Sequence, residues 1–217
     1  MVASLPLEVL AWLPLVLAAV ILYFRFERGR FRERLTAVAR RRGGRVSQDG
    51  WLTFPRLSVT LPESGDTGGD LELQISAIFG NGSDGHTHTF AWLGGLAFAG
   101  GELEVRRVAS TLGSAGGRGS RPTQTGDPVF DGDFRLRGDA ELARRLLTPE
   151  VRQALQGFDA RHRISLSLAE ATAYRNGRQA FGETEPRLCI SIDVVPPEVE
   201  ELDGMIEATR HVQAALA

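Results

Sequence analysis

LPLEVLAWLPLVLAAVILYF, residues 5–24, runs directly into RFERGRFRERLTAVARRRGGR, residues 25–45, and this apolar-to-basic junction decides how the chain is organised. Glu8 is the only charged residue between Leu5 and Phe24. Twenty helical residues rise about 30 Å, the thickness of a bilayer's hydrocarbon core, so residues 1–24 read as a transmembrane anchor. Nine arginines then stand between Arg25 and Arg45 against Glu27 and Glu33, while the N-terminal side carries only Glu8. Basic flanks resist translocation. That asymmetry predicts a single-pass protein of the bacterial inner membrane, with its N-terminus outside and its C-terminal part in the cytoplasm. A cleaved signal peptide fits less well, because Met1 to Leu7 holds no basic residue and Ala18-Ala19 is followed by the apolar Val20 to Phe24. Helical spacing of Phe26, Phe31, Leu35 and Val38 carries the helix to Arg42, where Gly43-Gly44 ends it. Within this basic juxtamembrane helix, 25–45, the residues Arg25, Arg28, Arg30, Arg32, Arg34, Arg40, Arg41 and Arg42 form the expected membrane-surface collar against anionic lipid headgroups.

Residues 46–217 contain 16 arginines against 24 acidic residues, an acidic balance that argues against a nucleic-acid partner. All 25 basic residues are arginine, so no lysine is present for a Schiff base, a Walker-type phosphate contact or a kinase-type ATP pairing. Cys189 is the only cysteine, which excludes an internal disulfide framework and a zinc ribbon. It lies in the apolar run Leu188 to Ile192, where strand alternation gives it a structural role.

Beyond residue 45 the length suits one soluble domain, 46–217, which could divide into halves 46–112 and 125–217 joined by a Gly/Ser/Pro-rich loop. Period-two alternation predicts strands at Trp51–Phe54, Arg56–Leu61 and Leu71–Phe79, with turn-rich connections at Pro62–Gly69 and Gly80–Gly85; His88–Trp92 and Glu102–Val108 read as further strands separated by the Gly94-Gly95 and Gly100-Gly101 pairs. Gly113 to Pro128 is the clearest internal break. After it, helices are expected at Ala140–Leu147 and at Pro149–Gly157, the latter capped by Thr148. Ile164, Leu166 and Leu168 alternate as a strand, Asn176-Gly177 signals a hairpin, and Leu188–Val195 is a further strand stopped by Pro196-Pro197. Glu198–Leu216 sets Val199, Leu202, Ile206, Thr209, Val212 and Leu216 along one stripe. The expected fold class is α+β: a single N-terminal transmembrane helix followed by a β-rich domain with two short internal helices and a C-terminal amphipathic helix.

The run Thr125-Gly126-Asp127-Pro128-Val129-Phe130-Asp131-Gly132-Asp133-Phe134, followed by Leu147-Thr148-Pro149, resembles a pattern in uncharacterised bacterial membrane-anchored proteins. There a Gly-Asp-x-x-Phe-Asp-x-x-Phe segment leads into a Leu-Thr-Pro helix, a short β-section and a closing helix, an order that residues 125–216 follow. The resemblance implies an anchored α+β domain and carries over no catalytic residue. The motif also makes structural sense: Asp127 and Asp131 suit turns whose carboxylates accept nearby backbone N–H groups, while Phe130 and Phe134 can enter the core. Asp127, Asp131 and Asp133 lack the ligand spacing of an EF-hand.

Among candidate chemical groups, His86 and His88 are the sharpest pair, because residues two apart on a strand share a face and could share a metal. Two ligands do not make a site, and a third would have to come from His162, His211, Asp84 or a distant carboxylate. Gly113 to Ser120 with Arg118 matches no Walker or dinucleotide spacing, and no Gly-x-Ser-x-Gly elbow occurs. Glu150, Asp159, His162, Arg144, Arg145 and Arg161 fit helix caps and solvated faces. No catalytic residue and no cofactor is assigned. The expectation is a membrane-tethered, non-enzymatic module that binds the lipid bilayer and an unidentified protein or envelope partner. The alternatives are a membrane-bound metal-dependent hydrolase using His86 and His88, and a sensor of anionic lipid surfaces.

Overall fold

The apolar and basic halves of the N-terminal helix have different fates in the computed structural model, which describes residues 7–48, 50, 53–61, 71–78, 88–94, 96, 101–108, 124–175 and 178–216. The helix, α1, spans Leu7–Arg42. Its end at Gly43 follows the expectation: Gly43 takes a left-handed φ of 75°, and the amides of Gly43 and Gly44 both donate to the Ala39 carbonyl. Eight strands follow: β1 (Arg45–Ser47), β2 (Arg56–Leu61), β3 (Leu71–Ile78), β4 (His88–Gly94), β5 (Leu103–Arg107), β6 (Phe134–Gly138), β7 (Ile164–Arg175) and β8 (Arg178–Ile192). Four further helices are α2 (Pro128–Asp133), α3 (Ala140–Leu146), α4 (Pro149–Gln156) and α5 (Val199–Leu216).

All eight strands form one antiparallel sheet in the order β1-β2-β3-β4-β8-β7-β5-β6. One transverse row crosses every strand: Val46, Leu57, Ile75, Ala91, Ile190, Leu166, Val105 and Leu136 are successive cross-strand partners. From Leu57 onward this row is buried, so its register is fixed: a one-residue slip would turn a strand's apolar set to the opposite face. Strands from the two sequence halves interleave, since β4 pairs with β8 and β5 sits between β7 and β6.

The apolar face is covered by helices. Leu202, Met205, Ile206, Thr209 and Val212 of α5 are buried, as are Leu142 and Leu146 of α3 and Val151 and Leu155 of α4. From α1, Phe31, Leu35 and Val38 join the same core at 0% exposure, and the Phe31 ring meets Phe54 edge-on at 5.9 Å. Residues i, i+4 and i+7 form one helical stripe, which explains why these three side chains enter together.

Several expectations require correction. Among the described residues no helix is long and apolar enough to cross a membrane. This overturns the transmembrane anchor, the single-pass topology and the inner-membrane localisation with an outer N-terminus and a cytoplasmic domain. The physical reason is that α1 does not stop where its apolar residues end: it runs unbroken into Arg25, Glu27, Arg28 and Arg30, and its later turns bury Phe31, Leu35 and Val38 in the domain core. The expected pair of short internal helices is also incomplete, because α2 forms where the sequence predicts turns. Asp127 caps it by accepting from the amides of Val129 and Phe130, with Pro128 at its first position. Thr53 and Phe54 are not in a strand, and β8 begins well before Leu188. The turns at Pro62–Gly69 and Gly80–Gly85 and the Asn176-Gly177 dipeptide lie outside the described residues, as does most of the Gly113–Pro128 break.

Candidate interaction surface

Along α1, the section before Phe31 leaves the domain. Trp12, Leu15, Val16, Leu17, Val20, Ile21, Leu22, Tyr23 and Phe26 are all exposed large apolar side chains, reaching 66% at Trp12 and Leu22. At about 100° per residue they encircle the helix axis rather than forming one stripe. Elsewhere only Val108 and Val129 are exposed large apolar residues among those described. The apolar surface is thus concentrated on one projecting element, the kind of patch that marks an interaction site.

The eight arginines expected to form a collar divide into two groups. Three of them fasten α1 to α5 and to the segment just before it. Arg34 donates to the carbonyls of Pro196 (2.6 Å) and Pro197 (2.8 Å) and to Glu198 Oε1 (2.7 Å). Arg41 and Arg42 reach Asp203 at 3.2 and 2.9 Å, and Arg42 also binds Glu207. The hydrogen bond that Arg42 donates to Asp203 is the main cause of the raised Arg42 pKa, opposed by burial and reinforced by Glu207. Arg34, Arg41 and Arg42 lie within nine residues on one side of the helix, opposite the acidic first half of α5.

Of the remaining five, Arg30 lies 3.7 Å from Glu27 and 5.6 Å over the Phe26 ring. Arg25, Arg28, Arg32 and Arg40 have no acidic partner among the described residues, and Arg25, Arg32 and Arg40 are exposed. The Nε of Arg28 is buried without a hydrogen-bond partner. Uncompensated positive charge therefore begins where the apolar exposure ends.

Among the described residues the candidate chemical groups do not converge. His86 lies outside the described residues. His88 stands at the start of β4, its ring 5.9 Å from that of Phe90, which stacks on Trp92 at 5.4 Å. Among the described residues no group of three or more His, Cys, Asp and Glu side chains could hold a metal ion. The aspartates of the Asp127–Asp133 motif serve structure: Asp131 accepts from Thr125 N, Thr125 Oγ1 and Gly126 N, and Asp127 meets Arg152 at 3.1 Å. Phe130 and Phe134 stack at 4.4 Å inside the core. His162 bridges elements, with Nε2 3.0 Å from Glu201 and Nδ1 3.8 Å from Asp193. Arg161 holds the Asp159 carboxyl well below the usual carboxylate range. The Glu150 carboxyl is lowered chiefly by its own backbone N–H, then by Thr148. Burial pushes the Cys189 thiol up to about 12, against smaller opposing effects of Arg187, Trp92 and Ser167. A thiol so placed is inert at neutral pH.

One strongly engaged residue has no local signature in the sequence. Arg107 of β5 donates to the carbonyls of Leu155, Gln156, Phe158 and Asp159 at 2.8 to 3.4 Å and lies 5.2 Å over the Phe134 ring. Burial lowers its pKa, and the charges of Asp133 and Asp159 oppose that effect. It satisfies the end of α4, a role that only the folded sheet creates.

Comparison with protein-family models, with curated proteins and with solved structures finds no match.

Proposed function

We propose that the protein is an interaction module that holds its β-sheet domain at an anionic lipid surface through the exposed section of α1. The observation that carries this reading is the ring of apolar side chains from Trp12 to Phe26, bordered by Arg25, Arg28 and Arg32, which have no acidic partner among the described residues. A protein groove covers one face of a helix and would leave the remaining apolar side chains in water. A lipid interface accepts apolar groups on all sides and positive charge at its boundary. The exposed apolar section from Trp12 to Phe26, about 21 Å of helix, is long enough to pass the headgroups and enter the acyl region. Each arginine at the boundary contributes about 1 kcal/mol where the lipid is anionic. Arg34, Arg41 and Arg42 then serve as the joint that ties this helix to α5 and so to the sheet.

Flotation of the full chain with phosphatidylcholine vesicles, with and without phosphatidylglycerol and at low and high salt, tests the reading. The expected result is binding that increases with phosphatidylglycerol, weakens with salt and falls sharply in Leu22→Arg. Absence of binding to either vesicle would overturn it. Self-association through α1 without vesicle binding would assign the surface to a second copy instead.

A further inference from the structure

Gly29 is the only glycine of α1, and neither backbone nor packing calls for it. Its φ is not positive, and a Cβ at this position would meet no atom within 4 Å. Relative to alanine, glycine in an exposed helical turn makes opening of that turn about fivefold more frequent. The position is the boundary between the two fates of α1. Before it, the large apolar side chains up to Phe26 are exposed; after it, Phe31, Leu35 and Val38 are buried in the core, and Arg34, Arg41 and Arg42 tie the helix down.

The neighbouring residue supplies an independent reason for opening at this turn. The Nε of Arg28 is buried with no hydrogen-bond partner, an unfavourable state for a charged donor that water relieves once the section moves away. The Arg30–Glu27 pair that spans Gly29 is 3.7 Å apart with Arg30 44% exposed, too weak a contact to lock the turn. Arg25, Phe26 and Gly29 are exposed, so water can take up the carbonyls that an opened turn releases.

We propose that Gly29 is a hinge: the part of α1 before it swings away from the sheet domain as one helix, carrying the half-buried Phe24, Glu27 and Arg28 with it, while residues 31–42 stay docked. The arrangement described above is the closed state. Opening hydrates Arg28 and lets the exposed section take its own tilt in a lipid surface without turning the sheet. That use rests on the function proposed above; the hinge itself does not.

The test measures distances by double electron–electron resonance in the full chain, in a Cys189→Ser background, with and without vesicles of phosphatidylcholine and phosphatidylglycerol. Spin labels stand at the exposed residues 19 and 200, and in a control at residues 40 and 200. The parent should give two 19–200 populations, with vesicles favouring the one absent from the closed state, and a single constant 40–200 distance. Gly29→Ala should reduce the open population about fivefold. Arg28→Met, which keeps the stem and removes the unpaired donor, should reduce it as well. The methyl of Gly29→Ala enters open space, so its melting temperature should equal or exceed the parent's and loss of fold is not at issue. A single 19–200 distance, unmoved by either substitution, would overturn the hinge, and vesicle binding by the same chain would leave the lipid-surface reading standing. Two populations that Gly29→Ala shifts, in a chain that binds no vesicles, would keep the hinge and remove its lipid use. A 40–200 distance that changes together with 19–200 would also overturn the hinge, because the docked section would then be moving too.

Discussion

Truncating Leu35 and Leu22 to alanine applies the same chemical change at two places on one helix, and the structure requires opposite outcomes. Leu35 is 0% exposed and packs within the core cluster, while Leu22 is 66% exposed. Leu35→Ala removes three carbons from a closed site: at about 0.8 kcal/mol for each buried methylene the transfer loss is about 2.4 kcal/mol. The residual cavity raises the cost to ~3–4 kcal/mol, a large share of a typical 5–15 kcal/mol stability. For a chain of this size the melting temperature should fall by about 10 °C. Leu22→Ala removes nothing from the core, so its stability should stay within ~0.5 kcal/mol of the parent while vesicle binding weakens. Urea unfolding followed by far-UV circular dichroism provides the stability values. A Leu35→Ala variant as stable as the parent would refute the argument, because residues 31–38 would then be a tether and not part of the domain.

Other consequences are more local. Arg107→Met keeps the aliphatic stem but strips the donors from four carbonyls at and just beyond the end of α4, and should cost ~2–3 kcal/mol in urea unfolding; a neutral result would mean that water replaces them freely. Gly138→Ala should destabilise by at least ~2 kcal/mol, since φ is 110° and the new Cβ would overlap the Glu102 carbonyl of the paired strand; an unchanged melting temperature would contradict that geometry. Cys189 keeps its proton in the fold to about 12, whereas an unfolded thiol loses it near about pH 8.5. Its contribution to stability is therefore intact below about pH 8.5 and is lost as pH rises toward 12. Iodoacetamide should label native Cys189 far more slowly than the urea-unfolded chain at mildly alkaline pH, and the alkaline loss of stability should shrink in Cys189→Ala. Equal labelling rates would refute the burial.

Local patterns in the sequence specify most of the individual elements. Alternation in Arg56–Leu61 and Ile164–Leu168 marks β2 and the start of β7, because one face of each strand is buried and the period of two survives intact. Thr148 before Pro149 marks α4, and its hydroxyl does accept from the Val151 amide at 3.4 Å. The stripe from Leu202 to Leu216 marks α5. Long-range placement is not written locally. Nothing in Leu103–Arg107 indicates that β5 lies between β7 and β6, since that position depends on pairings with residues about 30 and 60 positions away. The arginine cluster misleads for the same reason: a guanidinium aimed at lipid and one aimed at Asp203 look alike until α5 is in place. Hydropathy over 5–24 predicts a full span, whereas no helix among the described residues is long and apolar enough to cross a membrane.

The central claim is that the exposed section of α1 enters lipid while the rest of the domain remains in water. Spin labels placed singly at residues 22 and 40 in a Cys189→Ser background, with the protein bound to phosphatidylglycerol-containing vesicles, test it most directly through collision with oxygen and with a water-soluble nickel chelate. The account predicts that the label at residue 22 meets oxygen and is shielded from nickel, and that the label at residue 40 meets nickel freely. Full nickel access at both positions in the vesicle-bound protein would contradict it.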